Sequence, residues 1–142
     1  FLHIMVALTF SKLAALSAFA SLVSAAPFSN CNYFRVTSPT TYFTTTAGEC
    51  QQVSFDYSGP QPAPIVSIDL HESGTDKFVS TLIQNVTAVG PATPFFNINL
   101  NGYNVTGDYY FLVNYGPGCD AIKTQNFHLL YNSNSPPAVC PQ

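Results

Sequence analysis

Few side chains in this sequence can do acid–base or nucleophilic chemistry, and their spacing is the first thing to test. The chain holds 7 acidic residues: Glu49, Asp56, Asp69, Glu72, Asp76, Asp108 and Asp120. Glycoside hydrolysis needs two carboxyl groups ~5–9.5 Å apart across a cleft. The nearest approach to a reactive pair is Asp69 with His71, two positions apart on one face of an alternating run. Together they would make an acid–imidazole pair, but alternation alone assigns that face to solvent. Asp76, Asp108 and Asp120 sit in turn-like contexts, where aspartate bonds nearby backbone. His71-Glu72 begins like a zinc-protease helix, yet position 75 is Thr where a second histidine is required. No Gly-x-Ser-x-Gly elbow is present. Gly116-Pro117-Gly118 is too short for a phosphate loop. The expectation is a non-enzymatic protein with no catalytic residue, no cofactor and no metal site.

Recognition chemistry is better represented. Aromatics make up 14% of residues, all Phe and Tyr, and charged residues only 8%, against the usual quarter. Ser, Thr, Asn and Gln supply the polarity, so the surface is neutral and hydrogen-bonding. Tyr103 and Tyr110 are candidate sugar contacts, since aromatic rings stack on the C–H faces of sugars while Asn101 and Asn104 can bond hydroxyls. The partner this favours is a wall polysaccharide such as glucan or chitin. The net charge of −3, with 4 Lys+Arg in all, leaves no basic patch and argues against nucleic acid.

Residues 1–26 read as a secretory leader. Met5 is a plausible start, with residues 1–4 an upstream extension. Lys12 gives the positive segment, 13–23 an apolar run, and Ser24-Ala25-Ala26 a cleavage site of small residues. The run is short of the ~20 residues a spanning helix needs, so the mature chain is expected to have no membrane span. Residues 27–142 form one domain, extracellular or in a cell wall. Cys31, Cys50, Cys119 and Cys140 are an even set in an exported chain, which implies two disulfides. Asn85-Val86-Thr87 and Asn104-Val105-Thr106 are glycosylation sequons.

The elements that position these residues are strands. From Cys31 onward, short alternating runs are cut by Pro, Gly and Asn, the pattern of an all-β sandwich. Runs at 33–38, 50–58, 65–72, 77–85, 96–100, 109–115 and 124–131 predict seven strands. Val53, Phe55, Val66, Ile68, Leu70, Phe96, Ile98, Tyr109, Phe111, Val113, Phe127 and Leu129 are the expected core. The segment 59–64, with three prolines, is read as a loop, as is 90–94. Gly107-x-Tyr109-x-Phe111-x-Val113 matches the beginning of strand F of an immunoglobulin-like (fibronectin-type) antiparallel sandwich, where a tyrosine folds back onto preceding backbone. Tyr109 is the candidate for that corner. If successive strands alternate direction, Cys31 and Cys119 fall at one end of the sandwich and Cys50 and Cys140 at the other. Cys50 with Cys119 would span a strand of ~20 Å, beyond the ~7 Å Cα limit of a disulfide. Geometry therefore favours Cys31–Cys119 and Cys50–Cys140.

Arg35-Val36-Thr37-Ser38-Pro39, Thr46-Ala47-Gly48, Val66-Ser67-Ile68-Asp69-Leu70, Asn85-Val86-Thr87 and Gly107-Asp108-Tyr109-Tyr110-Phe111 resemble the N-terminal immunoglobulin-like domain of the Kre/Knh family of fungal cell-wall proteins. The resemblance covers residues 33–131. It implies a secreted, non-catalytic module of the wall, in a family linked to β-1,6-glucan assembly and often carrying a Ser/Thr-rich, GPI-anchored tail. This chain lacks that tail and the family's tryptophans, and adds four cysteines. The alternative expectation is a secreted carbohydrate-binding or effector-like protein.

Overall fold

A computed structural model describes residues 31–59, 63–116 and 118–141. The leader expected over residues 1–26 lies outside them, as do positions 60–62 of the proline-rich loop. The described chain is all-β apart from one 3-10 turn, Cys31–Tyr33. In chain order the strands are β1 (Phe34–Ser38), β2 (Thr44–Thr46), β3 (Cys50–Gln51), β4 (Ser54–Tyr57), β5 (Ala63–Glu72), β6 (Phe78–Ala88), β7 (Phe96–Asn97), β8 (Gly107–Tyr115), β9 (Ile122–Lys123) and β10 (Phe127–Leu130). The large sheet runs β2-β10-β8-β5-β6, with β9 also on β8. Opposite it, β1 pairs antiparallel with β4 and β3 with β7.

Seven expected runs become ten strands for local reasons. The second run breaks at Gln52-Val53, where Thr93 intervenes. The Val53 amide donates to Thr93 Oγ1 at 3.1 Å, and the Thr93 amide returns to the Val53 carbonyl at 3.0 Å. The 90–94 segment expected to be a loop therefore lies along the sheet edge, with Phe55 N donating to Pro91 O at 2.8 Å. β9 lies ahead of the last expected run, on β8 beside Thr124, whose hydroxyl takes the Phe111 N–H at 3.0 Å. The third addition, β2, pairs parallel with β10. Its three threonines carry no apolar alternation, so periodicity did not mark it. The sheet is mixed, not wholly antiparallel.

Two expectations about β5 change. Val66 is not in the core: it is 43% exposed, and Ile65 is buried in its place. Opposite β8, Ile65 pairs with Tyr115 and Ser67 with Asn114. Two steps on β5 thus face one on β8, a bulge with Val66 as the extra residue, and a bulge shifts the alternation by one. Pro64, expected in a loop, is the second residue of β5. Its carbonyl accepts from Gly116 N at 3.0 Å, and pairing with β8 begins only at Ile65. In an antiparallel strand the N–H and C=O of one residue point to the same side, so the missing N–H faces β8 ahead of that ladder and not Thr87, its partner on β6.

The other expected core positions are buried. Aromatic rings fill the centre: Phe34 stacks on Phe55 at 4.6 Å and on Tyr115 at 4.5 Å, and Phe111 lies 4.6 Å from Phe127. Each such side chain contributes ~1.5–3 kcal/mol by leaving water, before entropy is subtracted. Cys31 is joined to Cys119 and Cys50 to Cys140, with Cα separations of 5.4 and 5.5 Å. These are the pairs that strand direction selects. The Tyr109 hydroxyl donates to the Val105 carbonyl at 2.5 Å, folding the turn before β8 back over its first residues.

Burial, with Tyr103 and Glu72 nearby, pushes the Tyr109 phenol from 10.0 up to about 12. Tyr110 and Tyr115 move in the same direction, chiefly by desolvation. Between pH 10.0 and about 12 the unfolded chain loses the Tyr109 proton while the folded chain keeps it. The stability this group contributes is therefore fully present below pH 10 and is lost as pH rises through that window. Denaturant titrations at several alkaline pH values should show this decline. Tyr109→Phe should make it shallower, Tyr110 and Tyr115 still contributing, and at neutral pH should cost ~0.5–1.5 kcal/mol for the lost hydrogen bond.

Candidate functional site: an asparagine-lined groove

The residues first considered for chemistry are mostly engaged with one another. Asp69 does not pair with His71. Its Oδ1 accepts from Thr81 Oγ1 at 2.7 Å, and its Oδ2 from Asn114 Nδ2 at 3.0 Å. Ser67 Oγ adds a longer contact to Oδ2, at 3.4 Å. These neighbours on β6 and β8 lock the carboxylate into the outer face of the sheet. His71 instead sits in a cross-strand row. Phe78 meets it edge-on at 5.7 Å, and Tyr110 stacks on it at 5.2 Å.

Tyr110 is consequently not an open sugar platform. It is buried, with His71 on the β5 side and the Lys123 ammonium 3.8 Å from its ring centre on the β9 side. Its hydroxyl donates to Asp76 Oδ1 at 3.0 Å. Lys123 and Tyr110 together hold the Asp76 carboxyl below its ordinary range. Tyr103 is half-buried against the core, and the Lys77 ammonium lies 3.9 Å from its ring centre. Alternation leaves no sign of the two lysines, which come from other strands and turns.

The site that does form lies between the β7–β8 connection and the C-terminal tail. It is a cavity of about 330 Å³, at the small end of the ~300–1,000 Å³ usual for small-molecule sites. Asn97, Asn99, Asn101, Asn104 and Asn132 all line it, with Tyr131 as its aromatic ring, and none of its lining residues is charged. The asparagines do different work. Asn97 is structural: its Nδ2 donates to the carbonyls of Gly48 and Ala138, each at 2.8 Å. Asn99 Oδ1 caps the turn by accepting Asn101 N at 2.8 Å. The side-chain amides of Asn101 and Asn104 bond no described residue and are exposed.

One wall of the groove is the tail, and three devices hold it there. The Cys50–Cys140 bridge ties its end to β3. Ala138 N donates to Gly48 O at 2.8 Å. Gly48 itself has φ 89°, and a Cβ there would meet Pro137 Cα at 3.3 Å; glycine is the residue that permits both. Tyr131, in phase with Phe127 and Leu129 along the 124–131 run, turns outward and is 37% exposed. The strand ends at Leu130, and Tyr131 N donates to Thr106 Oγ1 at 2.8 Å. Such a groove can bond a neutral polyhydroxyl ligand through free amides and stack it on one ring. It offers nothing to an ionic one.

A second cluster escaped sequence reasoning. His128 Nδ1 lies 2.8 Å from Asp108 Oδ1, beside a recess of about 360 Å³ that includes Tyr42 and Phe43. Asp108 and His128 face each other in the β8–β10 register. Both are exposed, and a surface pair of this kind is worth little by itself. The sequons Asn85 and Asn104 are both exposed, and Asn104 sits on the rim of the groove.

Opening the second disulfide by Cys50→Ala with Cys140→Ala should release the tail and dismantle the groove wall. The bridge closes a loop with a sequence separation of 90, so its loss should cost ~2–5 kcal/mol in a denaturant titration. Amide relaxation should show residues 132–141 newly mobile while β8 stays rigid.

No protein-family model matches this chain, and no curated protein is similar to it.

Proposed function

We propose that this chain is an exported, non-catalytic immunoglobulin-like module that works within a fungal cell wall or extracellular matrix. The observation that carries the fold half of this reading is the division of the N-terminal segment. β1 pairs antiparallel with β4, and β2 then crosses to pair parallel with β10 in the other sheet. The Tyr109 to Val105 hydrogen bond supports the same reading, since a tyrosine at this corner is a hallmark of such sandwiches. Two bridges with sequence separations of 88 and 90 support an oxidising compartment. The short strand-bearing motifs that resemble the Kre/Knh family support the wall as the setting, by analogy of fold alone. The protein should accordingly remain in the cell-wall fraction after detergent extraction of intact cells. Recovery only in the medium or the detergent extract contradicts that placement.

A second reading, secreted carbohydrate binding, is favoured by one observation: the neutral groove with free amides at Asn101 and Asn104 beside Tyr131. Glucan and chitin present hydroxyl or acetamido groups and carry no charge, which suits this lining. A glycan on Asn104 and a ligand in the groove exclude each other. The chain without that glycan should be retained on insoluble glucan or chitin. Tyr131→Ala should lower retention about tenfold, equivalent to ~1.4 kcal/mol, whereas Tyr110→Phe should leave it unchanged. Equal retention of all three, or hydrolysis of any polysaccharide that Asp69→Asn abolishes, overturns this reading.

A further inference from the structure

The two sequons stand in different surroundings. Asn85 lies within β6. Asn104 lies on the rim of the asparagine-lined groove and is one of its lining residues. Hydrogen bonds fix the backbone on both sides of Asn104. Tyr103 N donates to the Leu100 carbonyl at 2.8 Å and closes the preceding turn. The Val105 carbonyl accepts the Tyr109 hydroxyl at 2.5 Å. Thr106 Oγ1 accepts Tyr131 N at 2.8 Å. That last bond ties the groove's aromatic residue directly to the third position of the sequon. Asn104 is thus a fixed point of attachment, with Tyr131 held in place beside it. Its side-chain amide is exposed and bonds no described residue.

We propose that the groove is the seat of the first N-acetylglucosamine of an N-glycan carried by Asn104, and that this sugar fastens the tail to the β7–β8 connection. Transfer from a lipid diphosphate donor makes the bond from sugar C1 to Asn104 Nδ2. It breaks the bond from C1 to the diphosphate oxygen and releases one amide proton. The lining supplies the groups such a sugar needs. A pyranose has a C–H face for the Tyr131 ring. Its acetamido group has a donor and an acceptor, which the Asn101 amide can answer. The lining carries no charge, which suits a neutral sugar. Asn132, Ser135 and Pro137 of the tail line the same cavity, so a sugar seated there meets both walls.

The covalent link selects this occupant over a free one. A ligand on a short tether meets its site at an effective concentration on the order of millimolar. Weak stacking on one ring is then enough to hold it. A free glucan or chitin chain has no such advantage and finds the groove filled. The inference rests on the export proposed above, and it does not require the bare chain to bind polysaccharide.

The test uses the full chain made in a host that exports and N-glycosylates, with its glycans trimmed enzymatically to single N-acetylglucosamines. Asn104→Gln removes the sugar and keeps an amide, so comparison with it identifies the Asn104 sugar signals by NMR. In wild type those protons should be shifted by the ring current of Tyr131 and show nuclear Overhauser contacts to it. Tyr131→Phe should preserve both effects, and Tyr131→Ala should abolish them. Relative to the matching chain with Asn104→Gln, the sugar should raise the folding equilibrium constant about tenfold, equivalent to ~1.4 kcal/mol. Tyr131→Phe should keep that gain and Tyr131→Ala should lose it. Sugar signals at their free positions, an equal gain in Tyr131→Ala, or an exported chain bare at Asn104 each overturns the seat alone. A chain that stays inside the cell overturns the export reading and the seat together.

Discussion

Burial of the inward face of β8 is the constraint on which the rest of this molecule depends. Tyr109, Phe111, Val113 and Tyr115 all point into the core and are nearly inaccessible to water. Their strand is hydrogen-bonded to β5 on one side and to β9 and β10 on the other. Each end of that face is fastened: Tyr109 reaches back to Val105, and Tyr115 donates to the Cys31 carbonyl. Cys31 is in turn bridged to Cys119 just beyond the strand. Remove that face and the two layers lose the centre of their shared core. The remaining pairings of the opposing layer are too short to stand alone, since β3 and β7 each have two residues.

The outer surface follows from the same strand. Because alternate residues of β8 point outward, Tyr110 and Asn114 land where β5 and β6 supply partners. Tyr110 joins His71 and Phe78 in a row capped by Lys123 and Asp76. Asn114 joins the Asp69, Ser67 and Thr81 network. Side chains that looked reactive in isolation are thus consumed in bonding the sheet's outer face. The asparagine-lined groove lies off the sheet, where the β7–β8 connection meets a tail held by a disulfide, the Ala138–Gly48 backbone bond and the Asn97 amide.

Strand existence and most of the core were legible from period-2 alternation, because burial of one face leaves a direct imprint on sequence. Val66 escaped because a bulge inverts the phase without leaving a local sign. β2 escaped because three threonines have no apolar phase to read. The disulfide pairs were legible from strand direction, a global property that survives errors in strand ends. The groove was not legible. Its lining comes from segments far apart in the chain, Gly48, Asn97 to Asn104 and Tyr131 to Pro137, which the β3–β7 pairing and the folded tail bring together. Tyr131 in particular kept the alternation of β10 in sequence while the backbone left the sheet one residue earlier.

Native-state hydrogen exchange tests the primacy of β8 most directly. If both layers close over its inward face, the amides of Phe111, Leu112 and Val113 should exchange only by global unfolding. Their opening free energies should match the stability from denaturant titration. The amides of 132–141 and of the β7–β8 connection should open far more readily. Exchange of the β8 amides at the rate of the tail, or through a local opening that leaves β1 and β4 protected, would contradict the account.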